Sequence, residues 1–337
     1  MLKKIFAAKS LLNSSRVTSY FYCRVFRKFE FHLPPRIQPT LCSSTMTTLS
    51  LPAIPDPTTR LEQAQPSDAS PTWRSFEAVL SSPSTSPPRL WQGIDRKSTP
   101  LVSIALAHAP ATPHLASLTD SHRQEAIQHI HLVGRWAQQE QCSRILLELG
   151  PIEHPQVASL DETWSEIVRG TYSGSETLQD LRSLRQQLAD RHLDVLCRTL
   201  HQLGRTFPGL TWCLGASSTP LGIPNFLEIE LILEDLRRSE VHLGYWHRTD
   251  RCHQRERLGL ESSESWLEQF GRWTAACRME DSRKDEQGLL PGSGEVDFGP
   301  IASLLPKDCL RSVPWPEKAS RSDLDESVRF LQDKNLF

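Results

Sequence analysis

His247, Arg248, Asp250, Arg251 and His253 fall within one stretch of seven residues. The spacing His-x-x-Asp-x-x-His can offer two imidazoles and a carboxylate to one metal ion, since neutral imidazole and ionised carboxylate are ordinary ligands of zinc and similar cations. Arg248 and Arg251 lie between those candidates, and guanidinium stays protonated with no lone pair to donate. Arginine forks match phosphate or carboxylate geometry, so they point instead to an anion. His247 also has a plainer reading, as a hydrogen-bonded wall of a pocket. Further along, Gly292-Ser-Gly294 brings backbone amides near an anion or simply makes a turn.

The elements that must position these groups read as repeated βα units. From Leu101 onward, short apolar runs alternate with segments of helical period. The strand candidates are Leu101–Ala107, Arg144–Leu149, Leu210–Leu214, Val241–Trp246, Thr274–Met279 and Leu310–Val313. Their continuous apolar character suits a sheet covered on both faces. Between them run helical stripes: Ala126, Ile130, Val133 and Ala137; Leu178, Leu181, Leu184 and Leu188; Phe226, Ile229, Leu233 and Leu236. A last helix is predicted over Asp323–Gln332, with Ser322 as N-cap and Leu324, Val328 and Leu331 facing inward.

The 337 residues fit one α/β barrel with an N-terminal extension. Residues 1–45 hold eight Lys/Arg against the single acid Glu30. They form a basic extension, either disordered and faintly like a transit peptide or a mis-placed gene start ahead of Met46. With the chain at net −2 overall, the rest is acidic, which argues against nucleic acid as a partner. Residues 46–100 are Pro/Ser-rich and are expected to be an irregular start of the barrel around one short helix at Trp73–Leu80. Residues 101–337 form the expected barrel proper. Eight cysteines are scattered without a CxxC pair and read as small buried hydrophobes in a reducing compartment. No run reaches the roughly 20 apolar residues of a membrane helix, so the expectation is a cytoplasmic protein.

The motifs carry a family likeness. Gly244-Tyr-Trp-His-Arg-Thr-Asp-Arg-Cys-His-Gln, followed by Leu258-Gly259, resembles without a gap the pattern Gly-Tyr-Trp-His-Asp-Thr-Gly-His-Ala-Gln…Leu-Gly of the sugar phosphate isomerase/epimerase family. In the expected order around it stand Val102-Ser-Ile-Ala-Leu-Ala-His-Ala-Pro, Ile145-Leu-Leu-Glu-Leu-Gly, Gly222-Ile-Pro-Asn-Phe-Leu-Glu and Leu290-Pro-Gly-Ser-Gly-Glu-Val-Asp-Phe. The resemblance implies a xylose isomerase-like (β/α)8 TIM barrel, incomplete or irregular in its first units, with its site at the C-terminal strand ends.

At those ends the chain departs from the family. Its metal-binding Asp and His are replaced by Arg248 and Arg251, and its Glu by Gly215 after Trp212-Cys-Leu. Its His-x-His-x-Asp reads Arg278-Met-Glu-Asp281, and its last Glu falls on Pro314. What the resemblance leaves in the pocket is His108, Glu148, His247 and Asp281. No metal cofactor is therefore expected, although the family uses a divalent cation. The expected function is that of a divergent relative which has lost metal-dependent catalysis. Two alternatives stand beside it: an isomerase or epimerase acting on a sugar through Glu148, Asp281 and His108, or a metal-free binder of a phosphorylated or acidic small molecule through Arg248, Arg251 and Arg278.

Overall fold

Thr45–Phe337 makes one compact unit. The computed structural model describes residues 47–52, 75–80, 100–106, 114–153, 166, 175–217, 222–237, 239–284, 286–316 and 318–337. The basic extension and His108 lie outside the described residues, as do the side chains of Leu178, Leu181 and Leu184.

Eight parallel strands close into a barrel: β1 (Thr47–Pro52), β2 (Ser75–Leu80), β3 (Leu101–Leu106), β4 (Arg144–Leu147), β5 (Thr211–Leu214), β6 (His242–Arg248), β7 (Thr274–Arg278) and β10 (Leu310–Pro314). Closure is made by β1, which pairs with β10 through Leu49 and Val313 and with β2 through Leu49 and Phe76. A short antiparallel pair, β8 (Asp281–Arg283) and β9 (Glu286–Leu289), stands apart from the barrel.

The six predicted strands are all present, and among the described residues eight strands close the sheet. Two expectations for the early segment are corrected. Trp73–Leu80 holds no helix over its C-terminal part, because Ser75–Leu80 is strand β2. Nor is 46–100 only an irregular lead-in, since it supplies two of the eight strands. The physical reason is that a short apolar run has no periodicity of its own to separate helix from strand. Its partners decide, and β2 finds β1 on one side and β3 on the other.

Strand side chains alternate between the lumen and the helix layer. One lumen layer takes Ala105, Leu146, Cys213, Trp246, Ala276 and Leu310, a residue from each of six successive barrel strands. On β6 the next residue outward from Trp246 is Tyr245, which joins Trp266, Phe270, Ile229 and Leu233 in a separate cluster under the helices. Arg248 therefore shares the lumen face with Trp246, and His247 shares the outer face with Tyr245.

Among the described residues the α-helices are α1 (Asp120–Gln139), α2 (Ser175–Thr206), α3 (Phe226–Leu236), α4 (Thr249–Arg257), α5 (Ser263–Phe270), α6 (Phe298–Leu304) and α7 (Arg321–Asp333). The predicted stripe of α1 is buried, and that of α3 is buried at Ile229, Leu233 and Leu236. Helix α3 opens with a capping box between Asn225 and Glu228. Glu228 also accepts from the buried Arg185 of α2, whose Nη2 reaches Gly222 O at 2.7 Å. That pair ties the Gly222–Asn225 turn to two helices. Helix α7 buries Leu324, Val328 and Leu331 completely, each worth about 1.5–3 kcal/mol before entropy is counted. Its N-cap is Ser320 rather than Ser322: Asp323 lies three residues on and returns the hydrogen bond, a reciprocal pairing that starts the helix two residues earlier.

Candidate functional site

Strand β6 runs into α4 without a loop, so Arg248, Asp250 and Arg251 are fixed within a few residues at the C-terminal mouth of the barrel. Arg248 and Arg278 are register partners on β6 and β7. Arg248 and Arg251 meet one carboxylate, Glu148, just after β4. Arg248 Nη1 donates to Glu148 Oε1 at 2.8 Å, and Arg251 Nη2 donates to the same oxygen at 2.7 Å. Arg248 Nη2 donates to Asp250 Oδ2 at 3.2 Å and to Glu280 Oε2 at 2.5 Å. Arg251 Nη1 turns to Ala216 O at 3.4 Å.

A second pair lies deeper. Arg278 donates to Glu77 through Nε at 2.9 Å and through Nη2, while Ser103 Oγ donates to the other oxygen of Glu77 at 2.9 Å. The Arg278 guanidinium lies 5.8 Å from the ring centre of Trp246, a cation–π contact, and its Nη1 is 3.9 Å from Glu280 Oε1. Glu77 and Asp250 are wholly buried, and Arg278 is 3% exposed. These arginines are therefore not rim residues lying in solvent. Glu77 escapes the sequence reading because Trp73–Leu80 reads there as a helix outside the sheet. A strict alternation count through Ser75-Phe-Glu-Ala-Val-Leu puts it on the lumen face.

The electrostatics follow from burial and from unequal numbers. Ionised, Glu77, Glu148, Asp250 and Glu280 outnumber Arg248, Arg251 and Arg278 by one charge. Burial lifts the Glu280 carboxyl to about 7, against the pull of Arg248, with Asp250 adding to the rise. Asp250 loses ionisation to burial as well, but Arg248 and Arg251 outweigh that and hold it below its usual range. Burial and the neighbouring Arg248 lower Arg251. For Arg248 itself, Asp250, Glu280 and Glu148 overcome burial and raise it. Hydrogen bonds from the Glu280 carboxyl and the Arg251 backbone help to hold Asp250 low.

The three groups of the His-x-x-Asp-x-x-His spacing go to different places. His247 faces the helix layer, with Tyr245 OH 3.0 Å from Nδ1 and Ser263 Oγ 2.9 Å from Nε2. Burial pushes it down to about 3 despite Asp250, so it is a neutral wall between β6 and α5. His253 Nδ1 meets Ser282 Oγ at 2.7 Å. Asp250 belongs to Arg248. Among the described residues no group of three or more His, Cys, Asp or Glu is arranged to hold a metal ion.

Asp281 opens β8 and is enclosed by backbone. Its Oδ2 accepts from Gly292 N and Gly294 N, both at 2.9 Å, and its Oδ1 from Ser282 N at 2.8 Å and Val296 N at 3.0 Å. The two sequence readings of Gly292-Ser-Gly294 thus merge: the turn does aim amides at an anion, and the anion is the chain's own carboxylate. Gly294 has to be glycine here, because a Cβ would run into that carboxylate. Asp281 and Glu148 are brought into separate hydrogen-bond sets. Beside the arginines lies a cavity of about 10 Å³, the size of one water, lined by Glu148, Gly215, Ser217, Ile223, Arg248 and Arg251.

No family model matches this sequence, and no curated protein matches it either. Solved structures do match. The 3-keto-D-glucoside 4-epimerase of E. coli superposes with a TM-score of 0.58 at 11% identity, over 86% of this chain and 99% of its own. D-psicose 3-epimerase from Clostridium cellulolyticum H10 gives 0.53 at 10% identity, over 86% and 97%. The IOLI protein, whose structure has a bound zinc atom, gives 0.55 at 11%, over 86% and 96%. The fold is that of the xylose isomerase-like sugar epimerases and isomerases, a TIM barrel. Among the described residues, no helix is long and apolar enough to cross a membrane.

Proposed function

We propose that this chain is a divergent sugar phosphate isomerase/epimerase-like barrel that has given up divalent-metal-dependent catalysis. The observation that carries this reading is Arg248, held at the mouth by Glu148, Asp250 and Glu280. The donor set does not fit a divalent cation. Each of the three carboxylates already binds a guanidinium, which can offer no lone pair. At about 4 Å a unit charge repels a dication by roughly 8 kcal/mol at an effective dielectric of 20, and three arginines lie close by.

The same contacts weigh against the two alternatives. An acidic ligand would have to displace Glu77, Glu148 and Glu280 from the arginines and would enter a cluster with excess negative charge. Among the described residues, proton transfer through Glu148 and Asp281 is opposed, since guanidinium groups hold the first and four amides hold the second. The acidic charge of the body also argues against nucleic acid as a partner.

The test is metal content and turnover of the purified wild-type protein. Less than a tenth of an equivalent of Mn, Zn, Co or Mg after dialysis is expected, with no isomerisation or epimerisation of a panel of ketose and aldose phosphates by NMR, with or without added Mn²⁺. One equivalent of metal together with turnover overturns the reading.

A further inference from the structure

At the N-terminal ends of β3 and β4, away from the mouth, lies a cavity of about 490 Å³ lined by Leu101, Val102, Gln139, Gln141, Ser143 and Arg144. Small-molecule pockets run from about 300 to 1,000 Å³, so the space is of that class. We propose that it is a second binding site, which takes a small hydroxylated carboxylate with its carboxyl group on Arg144. Arg144 opens β4 and Glu148 follows it, so the four residues of the strand put about 13 Å between this cavity's cation and the mouth. The proposal therefore does not depend on what the mouth does.

The end of α1 builds one wall. Cys142 N donates to Ala137 O at 2.8 Å and Gln141 N to Gln138 O at 3.2 Å, with Gln141 in the left-handed region at φ 57°. This closing turn satisfies the last helix carbonyls and sends the chain sharply into β4. Ser143 O accepts from Thr211 N at 2.8 Å, which fixes the start of the strand. Gln139, Gln141 and Ser143 remain exposed, and Arg144 is half-buried. Arg185, Arg248, Arg251 and Arg278 each hold a carboxylate. Among the described residues no carboxylate pairs with the Arg144 guanidinium and no group accepts from it. A guanidinium fork held in a cavity without a partner matches a carboxylate through two parallel hydrogen bonds. The charge around it selects a single negative charge. Glu140, which also lines the cavity and accepts from Trp136 Nε1 at 3.2 Å, opposes a dianion such as a phosphate ester, as does the negative end of the α1 dipole. The amides of Gln139 and Gln141 and the hydroxyl of Ser143 each offer a donor and an acceptor, which suits hydroxyl groups on the ligand. Leu101 and Val102 supply an apolar floor for its carbon chain.

The experiment is isothermal titration calorimetry of the full chain at constant ionic strength, with sodium gluconate, sodium glycerol 3-phosphate and sorbitol as probes. Wild type should bind gluconate at one site with a millimolar or lower Kd, and more tightly than either other probe. Its thermal midpoint should rise with gluconate concentration, as a ligand of the folded state requires. Arg144→Gln removes the fork and Ser143→Trp fills the cavity from its exposed lip, so each should lose at least tenfold in affinity while keeping the circular dichroism of wild type. Should Arg144→Gln fail to fold, Ser143→Trp decides. Gluconate that does not bind wild type, that binds a folded variant as tightly as wild type, or that binds no better than sorbitol or glycerol 3-phosphate overturns the proposal. Stoichiometric metal with turnover would instead overturn the proposed function, so the two failures read differently.

Discussion

Glu280 lies between Arg248 and Arg278 and beside Asp250, and its raised affinity for a proton makes the stability of the mouth depend on pH. Burial puts its folded value at about 7 against an ordinary 4.5. The folded state then holds a proton that the unfolded chain releases, so this contribution is complete below about pH 4.5 and is lost as pH rises through 7. Asp250 acts with the opposite sign, but only below its ordinary 3.8. His247, lowered from 6.5 to about 3, also opposes, losing stability as pH falls below 6.5. The difference between wild type and Glu280→Gln isolates the glutamate. Measured by urea unfolding, the variant should gain on wild type from about pH 5 to about pH 7, by at most about 1.4 kcal/mol for each step of one in pH, and level off above. An equal pH profile for the two proteins would show that Glu280 does not titrate there. Arg278→Ala should cost about 3–5 kcal/mol because it takes the guanidinium away from the buried Glu77 carboxylate. Adding Glu77→Gln to it should recover most of that loss in the same unfolding experiment.

Elements set these residues through register and capping, and their behaviour is testable at that level. Ser320→Ala should destabilise α7 by about 1 kcal/mol, and Ser322→Ala should be close to neutral, as judged by denaturant midpoints. Asp281→Asn keeps one acceptor oxygen for four amides, so hydrogen exchange at Gly292, Gly294 and Val296 should quicken selectively. Unchanged protection there would mean that the loop is held by something other than this carboxylate. The helix faces of α1, α3 and α7 are legible in the sequence because a spacing of three or four survives any tertiary context. Strand β2 is not, since six residues fit a helical spacing as readily as an alternation, and Glu77 goes with it. Ser320 and Ser322 are hard to tell apart as caps because each serine is followed three residues later by an acid. The reciprocal hydrogen bonds between Ser320 and Asp323 decide where the helix begins.

The whole barrel depends on the segment that looks least like structure. Strand β1 is the seam between β10 and β2, so a chain starting at Leu101 should lack a cooperative thermal transition by circular dichroism. A sharp transition in that fragment would mean that the seam is dispensable. The replacement of the family's ligand types by Arg248, Arg251 and Arg278 can be read from the sequence. Where those arginines turn can be read only in part, because Asp250 and Glu280 are their near neighbours in the chain whereas Glu148 and Glu77 are not. Glu148 is 100 residues from Arg248, and Glu77 is 201 from Arg278. The loop closed on Asp281 carries one more consequence. A tethered ligand has a fixed effective concentration, so its hold does not weaken when phosphate or a sugar acid in the surroundings is scarce, nor yield readily when they are abundant. For this barrel that makes the Leu290–Val296 loop a permanent fixture whose position carries no information about what is dissolved around it.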